Sequence, residues 1–350
     1  MAEDSHPASG ATANDVPLED KVAFLSSPWA YAGFEGEVEV KETHMAWVFL
    51  TRERVYKLKK PVEYNHRDCH LLRDRAFLCH EEVRLNRRLA PEVYLGVAAL
   101  RQDAGGRLEI GGEGEVVDWL VVMKRLPESL MLDVALSQGT VTQARITRVA
   151  ERLSGFYQEL EPAEMSVEVY LEHFKRELAR NRDVITDARF SLAEEGVSTM
   201  LDCLDRLVDQ EPDLLGERAR QGRIVEGHGD LRPEHVCLSE PPVVIDGLEF
   251  SRPLRLVDPF DELSFLGLEC NRLGAAWIGE LLVNACARRL MDWPDRRLLA
   301  FYTAYRACLR ARLSLAHLLE PDPRTPDKWE PQAREYLALA QQACRELDAP

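Results

Sequence analysis

The chain has 350 residues, 45% hydrophobic and 30% charged, with a formal net charge of −16. That length suits two domains with ample core, and the acidity argues against nucleic-acid binding, which needs lysine and arginine to displace counterions. No uninterrupted apolar run approaches the ~20 residues of a spanning helix, so neither a membrane partner nor a secreted fate is expected, and the location is read as cytoplasmic.

The start, MAEDSHPASGATANDV, is acidic and rich in small residues, without an apolar leader segment. It reads as a disordered tail over residues 1–16. PLEDKVAFL then looks helical and turns through SSPWAYAGFEG. EVEV, MAWVFL and RVYKLK are β-rich, with TRER as a tight reversal between the last two. Residues 70–89 place Leu71, Leu72, Phe77, Leu78, Val83, Leu85 and Leu89 on an approximate helical face that Pro91 stops. Strands follow in VYLGVAALRQ and RLEIGG. VVDWLVVMKRLP is a continuous apolar run suited to a buried strand, closed by Pro127.

From Leu130 the pattern becomes helical, over roughly 140–160, 166–183 and 192–209. HVCLS and PVVIDGL form a short β pair around an EPP turn. Helices resume over about 261–319 and 331–347, split by PDPRTP. The expected fold class is therefore α+β: a β-rich N-terminal lobe with one helix over 17–127, and a mainly α-helical C-terminal lobe over 128–350. The eight cysteines, at 69, 79, 203, 237, 270, 286, 308 and 344, show no CxxC and are expected to be reduced and packed. No G-x-x-x-x-G-K-[ST] is available to hold a nucleotide.

Four pieces fit the tasks of phosphoryl transfer, which needs phosphates held, divalent metal on their oxygens and a carboxylate beside the attacking hydroxyl. In RVYKLKKPV, Lys57 and Lys59 share one strand face, and either can steady phosphate oxygens. Glu81 or Glu82, on the following helix, can pair with that lysine; neither has an evident i,i+4 partner. In GHGDLRPEH, Asp230 lies in a loop just after the permissive Gly227 and Gly229 and can orient or accept a hydroxyl proton, while His228 reads as a structural hydrogen-bonder. Asp246 ends the apolar run of PVVIDG, where a presented carboxylate suits magnesium. Each piece alone has a bland reading as loop or surface; HGD joined by a hairpin to the strand-end aspartate is more specific.

With HGDLRPEH, VVIDGLEF and the following DPFDELSFL, the sequence resembles the aminoglycoside phosphotransferase and choline kinase branch of the protein-kinase-like superfamily. ETHMAWVFLTRERVYKLKKPV, EEVRLNRRLAPEVYLGV and FYTAYRACLRARLSLA look like a poorly characterised bacterial subgroup of phosphotransferase-like proteins, often fused to a P-loop kinase domain that is not expected in this chain. The resemblance covers most of residues 20–320. It implies a two-lobed kinase-like fold, ATP or GTP as co-substrate, and VMKRLP, with Met123 and Lys124, as the hinge that meets the base. It further implies Asp230 as the catalytic aspartate, Asp246 as the principal metal ligand, and Lys57 or Lys59 with Glu82 as the phosphate-orienting pair. Asp258 reads as a helix cap, with Asp261 and Glu262 favouring the helix start.

Two departures stand out. His235 occupies the position that usually carries asparagine. Magnesium matches a nitrogen poorly, whereas manganese or zinc tolerates it. Three readings follow: a softer metal, a phosphate contact from His235, or a nucleotide-binding pseudokinase. The second departure is the nucleotide loop, where ETHM has no glycine-rich turn; Thr43 and His44 either cover the phosphates or shape a turn. Glu249 is a second metal carboxylate, a substrate contact, or an ion-pair partner of Arg252 or Arg255. Arg232, beside Asp230, is a candidate substrate-binding residue. Tyr302, Arg306 and Arg310, at i, i+4 and i+8, form a stripe that either meets an anionic acceptor or makes ion pairs. His66, Cys69, His70, Cys79 and His80 match no compact zinc spacing.

The expected activity is transfer of the γ-phosphate of ATP or GTP, with Mg2+ (or Mn2+), to a hydroxyl of a small molecule. The alternative is a nucleotide-binding pseudokinase that acts on a protein partner. The sequence leaves the acceptor and the oligomeric state open.

Overall fold

The computed structural model describes residues 16–64, 67–190, 192, 195–320 and 325–347. Residues 1–15 of the expected tail, and His66 of the histidine–cysteine group, lie outside the described residues. Val16, the last residue assigned to the tail, is buried. The chain divides into two compact units between Leu126 and Pro127.

The first unit runs through α1 (Leu18–Leu25), β1 (Glu39–Glu42), β2 (Ala46–Leu50), β3 (Arg54–Lys59), β4 (Glu63–Tyr64), β5 (Arg67–Asp68), α2 (Leu72–Asn86), β6 (Tyr94–Gln102), β7 (Leu108–Ile110) and β8 (Glu115–Lys124). Helix α1 falls on PLEDKVAFL, which looks helical in the sequence, so the unit has two helices where the lobe outline counts one. Six strands make an antiparallel sheet in the order β1-β2-β3-β8-β6-β7. Strand alternation then sorts β3. Tyr56 and Leu58 join Leu25, Tyr31, Phe49, Leu100 and Leu120 in an apolar core, each large side chain contributing roughly 1.5–3 kcal/mol by leaving water. Lys57 and Lys59 point to the opposite face, toward α2.

Helix α2 has no interior glycine or proline, and Asp74 sits in its first turn, which favours the dipole. Its buried residues are Arg75, Leu78, Cys79, Glu82, Val83, Leu85 and Asn86, so Leu78, Val83 and Leu85 of the expected face are inside. This corrects the expected face: Phe77 and Leu71 are exposed, and Arg75 and Glu82 turn inward because the sheet supplies their partners. Arg75 makes a two-bond pair with Asp118 of β8, at 2.9 and 3.0 Å, and Lys21 of α1 reaches the same carboxylate at 2.9 Å. One buried aspartate therefore ties both helices to the sheet.

The second unit contains α3 (Leu132–Ser137), α4 (Gln143–Glu159), α5 (Val167–Ile185), α6 (Glu195–Gln210), α7 (Pro212–Arg220), β9 (Val225–Glu226), β10 (Val236–Cys237), β11 (Val243–Val244), α8 (Arg252–Arg255), β12 (Leu256–Val257), α9 (Pro259–Arg272), α10 (Trp277–Leu290), α11 (Arg296–Ala316) and α12 (Pro326–Leu347). Thr142, Ser166, Asp258 and Asp295 cap α4, α5, α9 and α11 by accepting a backbone N–H, a contribution of about 1 kcal/mol each. The helical stretch expected over 261–319 is three helices. Met291, in the left-handed region at φ 49°, ends α10. Helix α12 starts at Pro326 rather than near 331, because Pro331 forfeits one backbone bond without ending the helix.

All eight cysteines are buried, and none is in a disulfide. Among the described residues, no helix is long and apolar enough to cross a membrane.

Candidate active site

The GHGD loop leaves β9, which pairs with β12, and leads through a 3-10 turn (Pro233–His235) into the β10–β11 hairpin. Gly229 sits at φ 89°, where a side chain would be strained. Gly227 admits the neighbour that shapes the loop: a Cβ there would lie 2.6 Å from Glu262 Oε2. Glu262, on the first turn of α9, is 1% exposed. Its carboxylate accepts the backbone N–H groups of His228 (3.1 Å) and Gly229, and the Tyr157 hydroxyl donates to it at 2.8 Å. A buried carboxylate is tolerable only with such donors.

His228 joins the loop to the strand end. The Asp230 N–H donates to its Nδ1 at 3.3 Å, so Nδ1 carries no proton, and Nε2–H donates to the Ile245 carbonyl at 2.9 Å. Burial pushes its pKa down, outweighing the attraction of Glu262, which fits this neutral tautomer. The histidine is structural, as expected.

Asp230 and Asp246 both approach His235. His235 Nδ1–H donates to the Asp230 carbonyl oxygen at 2.8 Å and lies 3.8 Å from Asp230 Oδ2, while Nε2 is 3.6 Å from Asp246 Oδ2. A carbonyl can only accept, so Nδ1 holds a proton, and Nε2 is the atom turned toward Asp246. Asp246 sits at φ 62°, a left-handed conformation that costs a non-glycine residue roughly 1–2 kcal/mol. Arg232 Nη2 donates to Asp230 Oδ2 at 2.9 Å and lies 3.4 Å from His235 Nε2. Burial alone would raise the Asp230 pKa; the guanidinium groups of Arg232 and Arg310 and the hydrogen bond from Arg232 oppose it, and the carboxyl lies below the usual carboxylate range. Glu234 takes the other arm of Arg232.

In the first unit, both candidate lysines reach one carboxylate. Lys57 Nζ is 3.1 Å from Glu82 Oε1, and Lys59 Nζ binds Oε2; Glu82 is fully enclosed. Both reach it because strand alternation puts the two lysines above the same helix position. Glu81 pairs instead with Arg84 at i,i+3, a surface partner the i,i+4 count overlooked. Thr43 Oγ1 accepts from the Ala46 N–H and donates to its carbonyl, each at 3.0 Å, so its side chain shapes the β1–β2 turn; His44 is exposed there. Met123 is buried within β8, opposite Val55 and Tyr94, and Lys124 ends the strand, its N–H bonded to the Val93 carbonyl.

The stripe on α11 does not form an open surface. Tyr302 is fully buried, donating to Asp258 Oδ2 and meeting the Tyr170 hydroxyl, both at 3.0 Å. Arg306 is buried in a two-bond pair with Asp261, at 2.7 and 2.6 Å. Of the two readings open for the stripe, the partners of these two residues match the internal one, because the acids opening α9 lie against α11. Arg310 pairs with Glu269 at 2.8 Å and is part-exposed, and its charge is among those felt by Asp230. Arg252 and Arg255 pair with Glu226, and the Glu249 backbone carbonyl accepts from Arg255 Nη1 at 3.2 Å. Glu262, read from the sequence only as favouring a helix start, also holds the GHGD loop. Its signal was an acid in the first turn of a helix directly after the strand-end motif.

A sheet unit with a lysine–glutamate cluster and a helical unit with an HGD loop beside a strand-end aspartate define a protein-kinase-like α+β fold, of the kind found in aminoglycoside phosphotransferases and choline/ethanolamine kinases. An aminoglycoside 2'-phosphotransferase of type IIIa in complex with GDP is similar with a TM-score of 0.55 and 14% identity, over 93% of this chain and 98% of that one. A choline/ethanolamine kinase family protein from Mesorhizobium loti gives 0.51 and 17%, over 95% of each chain. Aminoglycoside phosphotransferase APH(4)-Ia gives 0.51 and 12%, over 89% of this chain and 94% of that one. No protein-family model matches the chain. Uncharacterised proteins of Mycobacterium tuberculosis and Mycobacterium bovis are 29% identical over 292 residues, 82% of this chain. The chain spans 56% of the length of these curated relatives.

Proposed function

We propose that the protein is a nucleotide-dependent phosphotransferase that phosphorylates a hydroxyl of a small molecule. The observation that carries this reading is the meeting of Asp230 and Asp246 at one imidazole, in a fold shared with small-molecule kinases. Asp230, held ionised by Arg232, is assigned to orient the acceptor hydroxyl and take its proton as the oxygen attacks the γ-phosphorus and the bond to the β-phosphate oxygen breaks, releasing nucleoside diphosphate. Arg232 is assigned to the transferring phosphoryl group, with which it shares Asp230 as counter-charge. Lys57 and Lys59, braced by Glu82, are assigned to nucleotide phosphate oxygens, and the Met123–Lys124 backbone to the base. ATP or GTP is the expected donor.

The fold implies a divalent ion, and the donor set fits one. Among the described residues, no group of three or more histidine, cysteine or acidic side chains is arranged to hold a metal, so Asp246 and His235 would share the ion with nucleotide oxygens and water, a common arrangement for phosphate-bound cations. Such an ion, when bound, neutralises the β- and γ-phosphate oxygens.

Replacing Asp230 by Asn tests the reading. Phosphate transfer or slow nucleotide hydrolysis should fall by roughly 10²–10⁴-fold, the usual share of a positioned base, while the nucleotide-dependent rise in melting temperature persists. Undiminished turnover overturns it. His235 in the metal position favours one other reading, a nucleotide-binding pseudokinase with a protein partner; stabilisation by nucleotide without transfer or hydrolysis in the wild-type chain would select it.

A further inference from the structure

We propose that His235 tunes the metal centre of the second unit toward manganese-class divalent cations and away from magnesium, an inference that rests on the phosphotransferase reading. The ring is fixed by its first nitrogen. Nδ1–H is committed to the Asp230 carbonyl at 2.8 Å, and the histidine is 6% exposed, flanked by the His228 ring at 5.9 Å between centroids. Nε2 is thereby aimed toward Asp246 Oδ2, 3.6 Å away.

An asparagine at this position also pairs a donor with an acceptor: its amide N–H for the carbonyl, its oxygen for the ion. The imidazole reproduces the donor and changes only the acceptor, from oxygen to nitrogen. Magnesium demands hard oxygen ligands and surrenders water reluctantly; manganese, and zinc beyond it, accept imidazole nitrogen. The Asp246 carboxylate serves either. The backbone carbonyl behind Nδ1 is the outer contact that usually fixes and strengthens a ligating histidine. Arg232 Nη2 lies at a long 3.4 Å from Nε2 and at 2.9 Å from Asp230 Oδ2, so the contact to Nε2 is the weaker of the two and the one it would yield to an ion held by His235 and Asp246.

The test uses the full chain with non-hydrolysable ATP and GTP analogues. Bound Mn2+ is counted by loss of the free-ion paramagnetic resonance signal, and Mg2+ is titrated in as competitor. Outer contacts at metal centres commonly change affinity by roughly 10–100-fold, so exchanging the ligand itself in His235→Asn should lower the Mn2+/Mg2+ preference by about tenfold or more. Spin-echo modulation from a directly bound nitrogen should be present in the wild-type chain and lost in H235N. An unchanged ratio, or wild-type Mn2+ without nitrogen modulation, overturns the inference; the second readout needs no variant and does not depend on H235N folding. If the analogues bind with an unchanged metal ratio, only this inference fails. If no analogue binds with any metal, the phosphotransferase reading fails with it.

Discussion

Glu262 shows how a residue can govern a site without facing it. It takes two consecutive backbone N–H groups of the GHGD loop and one phenol, from a position 33 and 34 residues farther along the chain. A glutamine there keeps the shape and replaces one acceptor oxygen by a donor that faces donors. Glu262→Gln should therefore destabilise the protein by about 1–3 kcal/mol, read as a lower denaturant midpoint, and should depress turnover with little change in nucleotide-dependent stabilisation. A wild-type midpoint would show that the loop does not depend on this carboxylate. At this scale the chemistry-bearing types were legible, since Asp230 and Asp246 stand in a recognisable pattern and His235 stands out as a departure from it. Glu262 was not, because an acid in a helix's first turn already has a local reason to be there, and nothing in the sequence announces a loop as its partner. Tyr302 and Arg306 stay open between two readings in the sequence for the same cause: helical spacing gives the stripe but not the side on which the next helix lies.

Among elements, α2 is held in place as much by charge as by apolar packing. Asp118 lies inside the apolar run of β8 and binds Arg75 and Lys21, all three nearly enclosed. Removing one partner of such a cluster leaves buried charge uncompensated, at a cost of about 3–5 kcal/mol. Asp118→Asn should show that loss in denaturant unfolding, together with faster amide exchange over residues 72–86, the helix that carries Glu82. Normal exchange there would mean that packing alone fixes the helix. Strands were the most legible elements, because alternation in RVYKLK and the unbroken run of VVDWLVVMK leave few other readings. Helix limits were less so. Gly274 and Pro294 do mark the breaks that divide the 261–319 stretch, yet a glycine or proline between two apolar patterns also occurs inside continuous helices, and Pro331 is such a case.

For the whole molecule, buried neutral histidines set a direction for acid sensitivity. His228 has its pKa lowered by burial, and burial pushes His173 down to about 4. For a histidine with a folded pKa below its unfolded value, the unfolded chain binds the extra proton first. Its contribution is thus intact above the unfolded pKa of about 6.5 and is lost as pH falls from there toward the folded pKa, by at most about 1.4 kcal/mol per pH unit for each fully coupled group. Stability should decline between pH 6.5 and 5, and His228→Gln should flatten that decline; a flat wild-type profile would contradict the burial of these rings. The overall plan, a β-rich unit followed by a helical one, was legible because period-two and helical patterns occupy separate stretches of the sequence. The acceptor of the proposed reaction was not, because no contiguous motif in the sequence points to one.

The enclosed thiols have a practical corollary. All eight native cysteines are shielded from solvent, so a ninth, placed at exposed His44 or Arg252, would meet a maleimide probe essentially alone. The protein thus arrives suited to single-site fluorophore attachment, with no need to strip its own sulfhydryls first.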